Sequence, residues 1–177
     1  MSFEIRRRER ELPFKREMEG IKIKMDAIDV KILEVLQENA RVSISELSKR
    51  INLSLSAVSE RLKKLERSDV INSYTAILDP KLLGRDLSVF ISIGLEATSD
   101  TQAFLDFVGS DPEILECHYI TGEYDYLLKV TTNNTDSLEK IMNRIKSFSG
   151  IKHTQTNVIL STIKNRHSVA PSLTDLL

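Results

Sequence analysis

The hydrophobic positions of the chain follow a helical period before residue 70 and a different period after residue 86. Ile28, Ile32 and Val35 recur at three- and four-residue intervals, and Val58 and Leu62 repeat that spacing. Such spacing is typical of amphipathic helices, because it places the apolar side chains on one face that must be buried. It predicts three short helices: one from a cap at Asp26 to about Glu38, one that begins with a Ser43 to Glu46 capping box and ends near Arg50, and one from about Ser56 to Arg67.

The second and third helices are separated by a turn of only a few residues. Asn52 suits this turn because asparagine tolerates a left-handed backbone. Ile44, Leu47 and Ile51 are expected to point inward from the second helix. Helices joined in this way predict a helix-turn-helix arrangement. Residues 70–79 are expected to be extended, first as a small wing and then as a linker strand.

Beyond Asp86 the apolar residues alternate with small or polar ones, as at Val89, Ile91 and Ile93. Alternation of this kind indicates a half-buried strand. The predicted order is strand, helix, strand, strand, helix, strand, which is the ferredoxin-like arrangement. The fold class is therefore predicted to be α+β, with an N-terminal winged helix-turn-helix and a C-terminal ferredoxin-like βαββαβ domain. The predicted elements are a strand from Asp86, a helix from Asp100, strands at 114–122 and 125–132 joined as a hairpin by the tight connection 122–124, a helix from about Thr135 to Phe148, and a strand at 153–164.

The N-terminal segment alternates charge signs and lacks an apolar face, which predicts a frayed extension. It is either a basic arm that reaches for phosphate or a start-site artefact with Met25 as the natural start, and we favour the artefact. The expected division is residues 1–24 as the extension, 25–74 as the winged helix-turn-helix domain, 75–85 as the linker strand, 86–165 as the ferredoxin-like domain, and 166–177 as a tail that packs on a neighbour or stays loose.

Charge is distributed unevenly although the net charge of the chain is only −1. Eight Lys or Arg and five Asp or Glu give residues 1–24 a charge of +3, and residues 25–71 hold eight of each. Nine cations and thirteen anions give residues 72–177 a charge of −4. Within the neutral middle, residues 49–67 carry six cations and two anions. A basic stretch beside an acidic segment is one way to confine polyanion binding to one end of a molecule.

Catalytic and metal chemistry find little support in the sequence. The chain has one cysteine, Cys117, which excludes an internal disulfide and argues against a cysteine-based metal site. His118 lies on a predicted strand without a second histidine at ligand spacing, so a structural role is favoured. No phosphate loop, dinucleotide fingerprint or nucleophile motif is present. We therefore expect no enzyme activity, cofactor or metal, and the absence of a signal or membrane segment predicts a cytoplasmic protein.

The third helix carries the candidate DNA contacts. Its face opposite the apolar stripe begins with small hydroxyl side chains and ends with cations, which suits a helix that enters the major groove. A solvated helix surface is the alternative, and the capped helix and tight turn before it favour DNA. Arg61 lies nearer the buried edge, where structural and DNA-binding roles are equally open. The predicted DNA-binding residues are Lys49, Arg50, Ser54, Ser56, Ala57, Ser59, Lys63, Lys64 and Arg67.

Two stretches of the sequence together resemble a known family. "MDAIDVKILEVLQENARVSISELSKRINLSLSAVSERLKKLERSDVI", followed later by "GEYDYLLKV", is similar to the Lrp/AsnC (leucine-responsive, feast/famine) transcriptional regulators. The resemblance implies a winged helix-turn-helix joined by a linker strand to a ferredoxin-like module that dimerises and senses small molecules, usually amino acids. It also implies further assembly, commonly to octamers. The chain departs from the family at residues 52–55, where Gly-Leu-Ser-Pro is usual, and at Asn157, where many members have an aromatic residue.

The segment "TGEYD" (121–125) is the candidate effector loop. Gly122 lets backbone amides turn toward a carboxylate, and Asp125 offers a carboxylate to an ammonium, which together suit a free amino acid. The alternative is that Gly122 serves only the hairpin and Asp125 caps it. By resemblance, the pocket lies between dimers and includes residues of the last strand. The predicted effector-binding residues are Gly122, Glu123, Tyr124, Asp125, Thr154, Thr156 and Val158.

These observations predict a sequence-specific DNA-binding transcriptional regulator that responds to an amino acid or a related metabolite. Its expected partners are double-stranded DNA, the small-molecule effector and further copies of the chain, as a homodimer and a higher oligomer such as an octamer. One alternative is an enzyme, because siroheme decarboxylases share the two-domain resemblance. Those enzymes carry histidine and tryptophan where this chain has "CHYITGEYDYLLKV". The other alternative is a ligand-binding assembly protein that does not bind DNA.

Overall fold

The computed structural model describes residues 25–96 and 101–172, which form two units. The first unit contains the described residues up to Thr75 together with those from Arg166 onward, and the second unit is Ala76–Asn165. The predicted extension 1–24, the predicted helix start at Asp100 and the end of the predicted tail lie outside the described residues. None of the helices among the described residues has the length and hydrophobicity of a membrane-spanning segment.

The first unit is built from three helices, and the cap predicted at Asp26 is confirmed. The Asp26 carboxylate accepts hydrogen bonds of 2.9 Å from the backbone N–H groups of Ile28 and Asp29. The Asp29 carboxylate in turn accepts a hydrogen bond of 3.2 Å from the N–H of Asp26, which completes a capping box. The helices are α1 (Ala27–Glu38), α2 (Ile44–Ile51) and α3 (Leu55–Arg67).

The capping box predicted at the start of α2 is only half formed. The Ser43 hydroxyl accepts from the Glu46 N–H at 3.1 Å, but the Glu46 carboxylate pairs with Arg50 at 2.9 Å. The expectation that Ile44 points inward is also wrong, because its side chain is 42% exposed while Leu47 is buried. Ile44 is the first residue of α2 and therefore lies at the edge of the apolar stripe.

A small apolar core holds the three helices together. It consists of the buried side chains Ile32, Leu47, Val58 and Leu65, with partly buried residues such as Leu62 packed around it. Full burial of one such side chain contributes roughly 1.5–3 kcal/mol. The helical spacing in the sequence therefore identified the stripe of each helix that faces this core.

The segment that follows α3 contains no strand. Residues 73–79 lack secondary structure, and Lys81–Leu83 forms one 3-10 turn between Pro80 and Gly84. The described single chain therefore forms no strand in the segment 70–79 predicted as wing and linker, nor in the predicted linker strand 75–85. Strand formation requires a hydrogen-bonded neighbour. The described part of this single chain supplies none.

The second unit is a four-stranded antiparallel sheet, and the predicted ferredoxin-like order is confirmed. The strands lie in the order β2-β3-β1-β4, so the first strand in the sequence is central. The elements are β1 (Leu87–Leu95), α4 (Thr101–Ser110), β2 (Ile114–Tyr119), β3 (Tyr126–Thr132), α5 (Thr135–Lys146) and β4 (Ile151–Val158).

One face of this sheet is covered by α4 and α5. The alternating β1 residues Val89, Ile91 and Ile93 are buried there, as the sequence pattern predicts. Phe104 of α4 packs its ring 5.0 Å from that of Tyr126. The opposite face carries the residues that alternate with these, and it has no helix packed on it in the described unit.

Strand β4 ends earlier than the predicted range 153–164. Its last ladder bond runs from the Ile159 N–H to the Ser88 oxygen at 2.9 Å, and β1 begins at Leu87. Because no neighbouring strand extends further, the chain beyond leaves the sheet. Leu160 and Ile163 are accordingly 94% and 93% exposed.

The described part of the tail returns to the first unit. The Gln37 side-chain amide donates to the Val169 carbonyl at 2.5 Å and to the Ser168 hydroxyl at 3.3 Å. The tail therefore contacts α1 of its own chain through an exposed side chain.

Candidate functional site

The turn between α2 and α3 has the geometry that a compact helix-turn-helix requires. Asn52 adopts a left-handed backbone, with φ 57° and ψ 50°, which confirms the predicted role of this asparagine. The Ser48 hydroxyl bonds the Leu53 carbonyl, and the Ser54 hydroxyl accepts from the Ala57 N–H at 3.2 Å. Ser54 is thus the N-cap of α3, and the first turn of this helix is held by its own side chains.

The outer face of α3 is open in the first unit. Ser56, Lys63 and Arg67 are exposed, whereas Ala57 and Ser59 are half-buried. The Ser56 hydroxyl lies 3.1 Å from that of Ser54, so the helix begins with a pair of hydroxyl groups. Both hydroxyls can donate or accept, as contacts to base edges require.

A second group of charges on α3 faces α1. Arg61 contacts the carboxylates of Asp29 at 2.7 Å and Asp26 at 2.8 Å, and Lys64 contacts Asp29 at 3.0 Å. The hydrogen bonds that Arg61 donates to Asp29 and, next in size, to Asp26 raise the pKa of Arg61 above its ordinary value. The pKa of Asp26 is lowered, first by the Asp29 N–H and also by Arg61. Arg61 therefore has a structural role between α3 and α1, and Asp29 also holds Lys64.

Asp29 is the member of this group that no local pattern in the sequence indicates. Its side chain is fully buried, and its position three residues after Asp26 marks only its capping role. The pairing with α3 joins residues more than thirty positions apart, which no local pattern indicates.

Two further cations of the predicted DNA-binding set belong to α2. Lys49 is exposed. Arg50 pairs with Glu46 at 2.9 Å and with Glu38 at 3.4 Å, and its side chain is 43% exposed. Exposed pairs of this kind contribute little free energy, so a phosphate could replace either carboxylate as the partner of Arg50.

In the second unit, the Asp125 carboxylate is part of the sheet. Its Oδ2 atom accepts from the Leu95 N–H at 2.7 Å, and its own N–H donates to the Ile93 oxygen at 2.9 Å. Gly122 has a φ of 127°, a conformation that favours glycine. Both residues therefore have structural roles in the hairpin, and an effector role for Asp125 would have to use the same carboxylate.

Tyr124 extends from this loop across the sheet face that lacks helices. Its hydroxyl donates to the Gln155 side-chain oxygen at 3.0 Å, and its ring meets the His153 ring edge-on at 4.8 Å. The Nε2 atom of His153 is buried, and no hydrogen-bond partner is found for it in the described part of the chain. No local sequence pattern indicates His153 and Gln155 as neighbours of Tyr124, because their contacts cross the whole width of β1.

The three predicted effector residues of β4 lie on the other face. Thr154 and Thr156 pair in register with the buried residues Ile93 and Ile91, and Val158 pairs with Val89. Thr154 and Thr156 line a shallow crevice against α5, too tight to enclose a small molecule. Within one chain, the sheet therefore separates these three β4 residues from Tyr124. Glu123 is exposed in the loop.

The described residues offer no metal centre. Nowhere in 25–96 or 101–172 do three His, Cys, Asp or Glu side chains group closely enough to hold an ion. His118 instead contacts Glu116 at 3.1 Å, and Glu116 also contacts Lys129 at 2.7 Å.

Comparison with known proteins connects both units to regulators. Residues 25–72 match the family model described as winged helix-turn-helix DNA-binding, and residues 88–169 match that of the Lrp/AsnC ligand binding domain. The chain is 34% identical to the HTH-type transcriptional regulator FL11 of Pyrococcus horikoshii, over 81% of this chain and 95% of the relative. It is 37% identical to the leucine-responsive regulatory protein of Escherichia coli K12, over 79% and 87% respectively.

Solved structures show the same similarity. Transcriptional regulator NMB0573 of Neisseria meningitidis, in a complex with L-Met, superposes with a TM-score of 0.80 and 34% identity, covering 87% of this chain and all of that one. Escherichia coli AsnC superposes with a TM-score of 0.78 and 31% identity, covering 84% of this chain and all of that one.

Proposed function

The chain belongs to the Lrp/AsnC family of transcriptional regulators, and we propose that it is a sequence-specific DNA-binding regulator whose activity responds to an amino acid. Its relatives are regulators, not enzymes, which sets aside the siroheme-decarboxylase alternative. A protein that acts on chromosomal DNA in this way is proposed to work in the cytoplasm.

The observation that carries the DNA proposal is the outer face of α3. Ser56, Lys63 and Arg67 are exposed on a helix whose start is capped by Ser54. An α-helix fits the major groove, where hydroxyl and small side chains approach base edges and cations contact phosphates. We also propose that Lys49 and Arg50 on α2 contact the phosphate backbone.

A single domain of this size offers few phosphate contacts, so we propose that two copies bind together. Two-fold symmetry then places two α3 helices in successive major grooves, about 34 Å apart or a multiple of that distance. The preferred DNA sites would be pseudo-palindromic. Further assembly to an octamer is part of the same proposal and rests on the family.

The DNA proposal is tested by selecting genomic fragments on the immobilised full-length protein. We expect enrichment of pseudo-palindromic fragments by the unmodified chain and strong loss of enrichment with Lys63→Ala. Lys140→Ala is the matched control, because Lys140 is an exposed helical lysine in the second unit. Failure of the unmodified protein to retain any fragment would support the alternative of an assembly protein without DNA binding.

For the effector, we propose an amino-acid site completed by a second copy of the chain. Tyr124 lies on one face of the sheet and Thr156 on the other, so a pocket that uses both requires residues from two chains. The relative NMB0573 was solved with L-Met, which supports an amino acid as the ligand. Such a ligand changes DNA binding only if it binds one assembly more tightly than another.

The effector proposal is tested by titrating single L-amino acids, including L-Leu and L-Met, into the assembled protein. Asp125→Asn keeps an oxygen that accepts from the Leu95 N–H but removes the charge that attracts an ammonium. We expect unchanged thermal stability and roughly tenfold weaker binding of the amino acid that binds the unmodified protein. Equal affinity in both proteins would contradict the proposed role of Asp125, and no binding by any amino acid would contradict the ligand class.

A further inference from the structure

The cations of α3 are directed to two different sides of the helix. Arg61 and Lys64 are three residues apart and contact the same carboxylate on α1. Lys63 and Arg67 are four residues apart and exposed on the outer side. At about 100° per residue, Lys63 lies roughly 200° around the helix from Arg61. The basic character of α3 therefore divides into an inner pair and an outer pair.

The inner pair is held by a carboxylate that is removed from solvent. Asp29 is 0% exposed, and its Oδ1 atom accepts from Arg61 at 2.7 Å while its Oδ2 atom accepts from Lys64 at 3.0 Å. A buried carboxylate is stable only when cations or hydrogen-bond donors compensate for its lost hydration. Release of Lys64 to a DNA phosphate would remove part of that compensation, so the folded unit resists it.

The outer pair has no such competitor in the described part of this unit. Neither Lys63 nor Arg67 forms an ion pair with a described carboxylate. A phosphate that binds either of them displaces only water and counterions. The two pairs therefore differ in their availability to a polyanion although they share one helix.

We propose that Asp29 is the positioning residue of the DNA-binding helix. It holds Arg61 and Lys64 against α1 and thereby leaves Lys63 and Arg67 as the α3 cations that neutralise phosphates. This inference rests on the proposed DNA binding and removes Lys64 from the set of residues predicted to contact DNA. The position of α3 and the number of its phosphate contacts are then determined by one buried carboxylate.

The test measures how the affinity of the full-length protein for a labelled duplex of about 30 base pairs falls between about 50 and 200 mM KCl. Each lost phosphate contact reduces the slope of log affinity against log salt by about 0.9. We expect Lys63→Gln to reduce the slope by this amount for each bound subunit and to leave the melting temperature unchanged. Lys64→Gln is expected to leave the slope unchanged and to lower the melting temperature.

A second pair of variants examines Asp29 itself. Asp29→Asn releases Lys64, so the slope should become steeper by about 0.9 for each bound subunit, and addition of Lys64→Gln should restore the original slope. If circular dichroism shows that Asp29→Asn does not fold, the salt slopes of Lys63→Gln and Lys64→Gln are sufficient to test the positioning role of Asp29.

The outcomes separate this inference from the proposed function. Equal loss of slope in Lys63→Gln and Lys64→Gln would overturn the positioning role of Asp29 while DNA binding stands. Absence of duplex binding by the unmodified protein at low salt would overturn both.

Discussion

The imidazole ring of His153 covers Gly94 so closely that a Cβ atom built on the glycine would stand 2.4 Å from Cε1 of the histidine. These two residues are partners in the β1–β4 ladder, and the register shifts directly after them. The Tyr124 ring also packs edge-on against the His153 ring. The absence of a side chain at position 94 therefore allows β4 and the candidate effector loop to meet above β1.

Gly94→Ala is predicted to destabilise the second unit, because the new methyl group must displace the His153 ring. Overpacking of this kind costs about 1–3 kcal/mol, measured as the free energy of unfolding in urea. In a protein that already carries His153→Ala, the further substitution Gly94→Ala should cost much less, because the ring that the methyl group would displace is gone. Additive effects of the two substitutions would contradict the steric explanation.

The left-handed turn at Asn52 yields a second prediction. Asn52→Gly should be neutral within about 0.5 kcal/mol or slightly stabilising, whereas Asn52→Val should cost about 1–2 kcal/mol, because a branched side chain is strained at positive φ. Chemical denaturation of the three proteins measures these differences. A stable valine variant would show that the turn can adopt another geometry.

The charged group on the helix-free face of the sheet makes stability depend on pH. The Lys129 ammonium, followed by His118, lowers the pKa of Glu116 below its ordinary value of 4.5. Because the folded-state pKa is the lower one, this contribution is fully present above pH 4.5 and is lost as the pH falls through the folded-state value.

Lys129→Met is predicted to raise the pKa of Glu116, as followed by NMR titration of its carboxyl carbon. Its effect on the free energy of unfolding should be below about 1 kcal/mol near neutral pH, since the pair is partly exposed, and should vanish in acid. His118→Gln serves as the comparison and should raise the same pKa by less. A larger effect of His118→Gln would show that His118, and not Lys129, is the main cause of the lowered pKa of Glu116.

Tyr74 is expected to titrate later than an ordinary tyrosine. Partial burial, together with a hydrogen bond of 3.1 Å to Glu66, raises the pKa of Tyr74 to about 12. Folding therefore favours the protonated phenol, and this stabilisation is present below pH 10 and lost as the pH approaches 12.

Glu66→Gln should move the titration of Tyr74 to lower pH, as recorded by the absorbance of the phenolate. Tyr74→Phe identifies the signal, because it removes that one titration and leaves those of the other three tyrosines. An unchanged titration in Glu66→Gln would leave burial as the whole cause of the shift.

The amino-acid sequence by itself determined the features that depend on neighbours along the chain. The caps at Asp26 and Ser43 and the turn at Asn52 follow from residues within three positions of each helix end. The inward faces of α3 and β1 follow from the periods of Val58 and Ile91 with their neighbours. These features were predictable because local hydrogen bonds and side-chain spacing decide them.

Only the tertiary structure decided which charges pair and where strands end. Helical spacing placed Arg61 near the buried edge of α3, but only the packing of α1 against α3 shows that Arg61 and Lys64 both contact Asp29. Strand β4 ends at Val158 because its partner β1 begins at Leu87, although the apolar pattern continues. Contacts between residues distant in sequence depend on how whole elements pack, so the division of α3 into inner and outer cations required the folded unit.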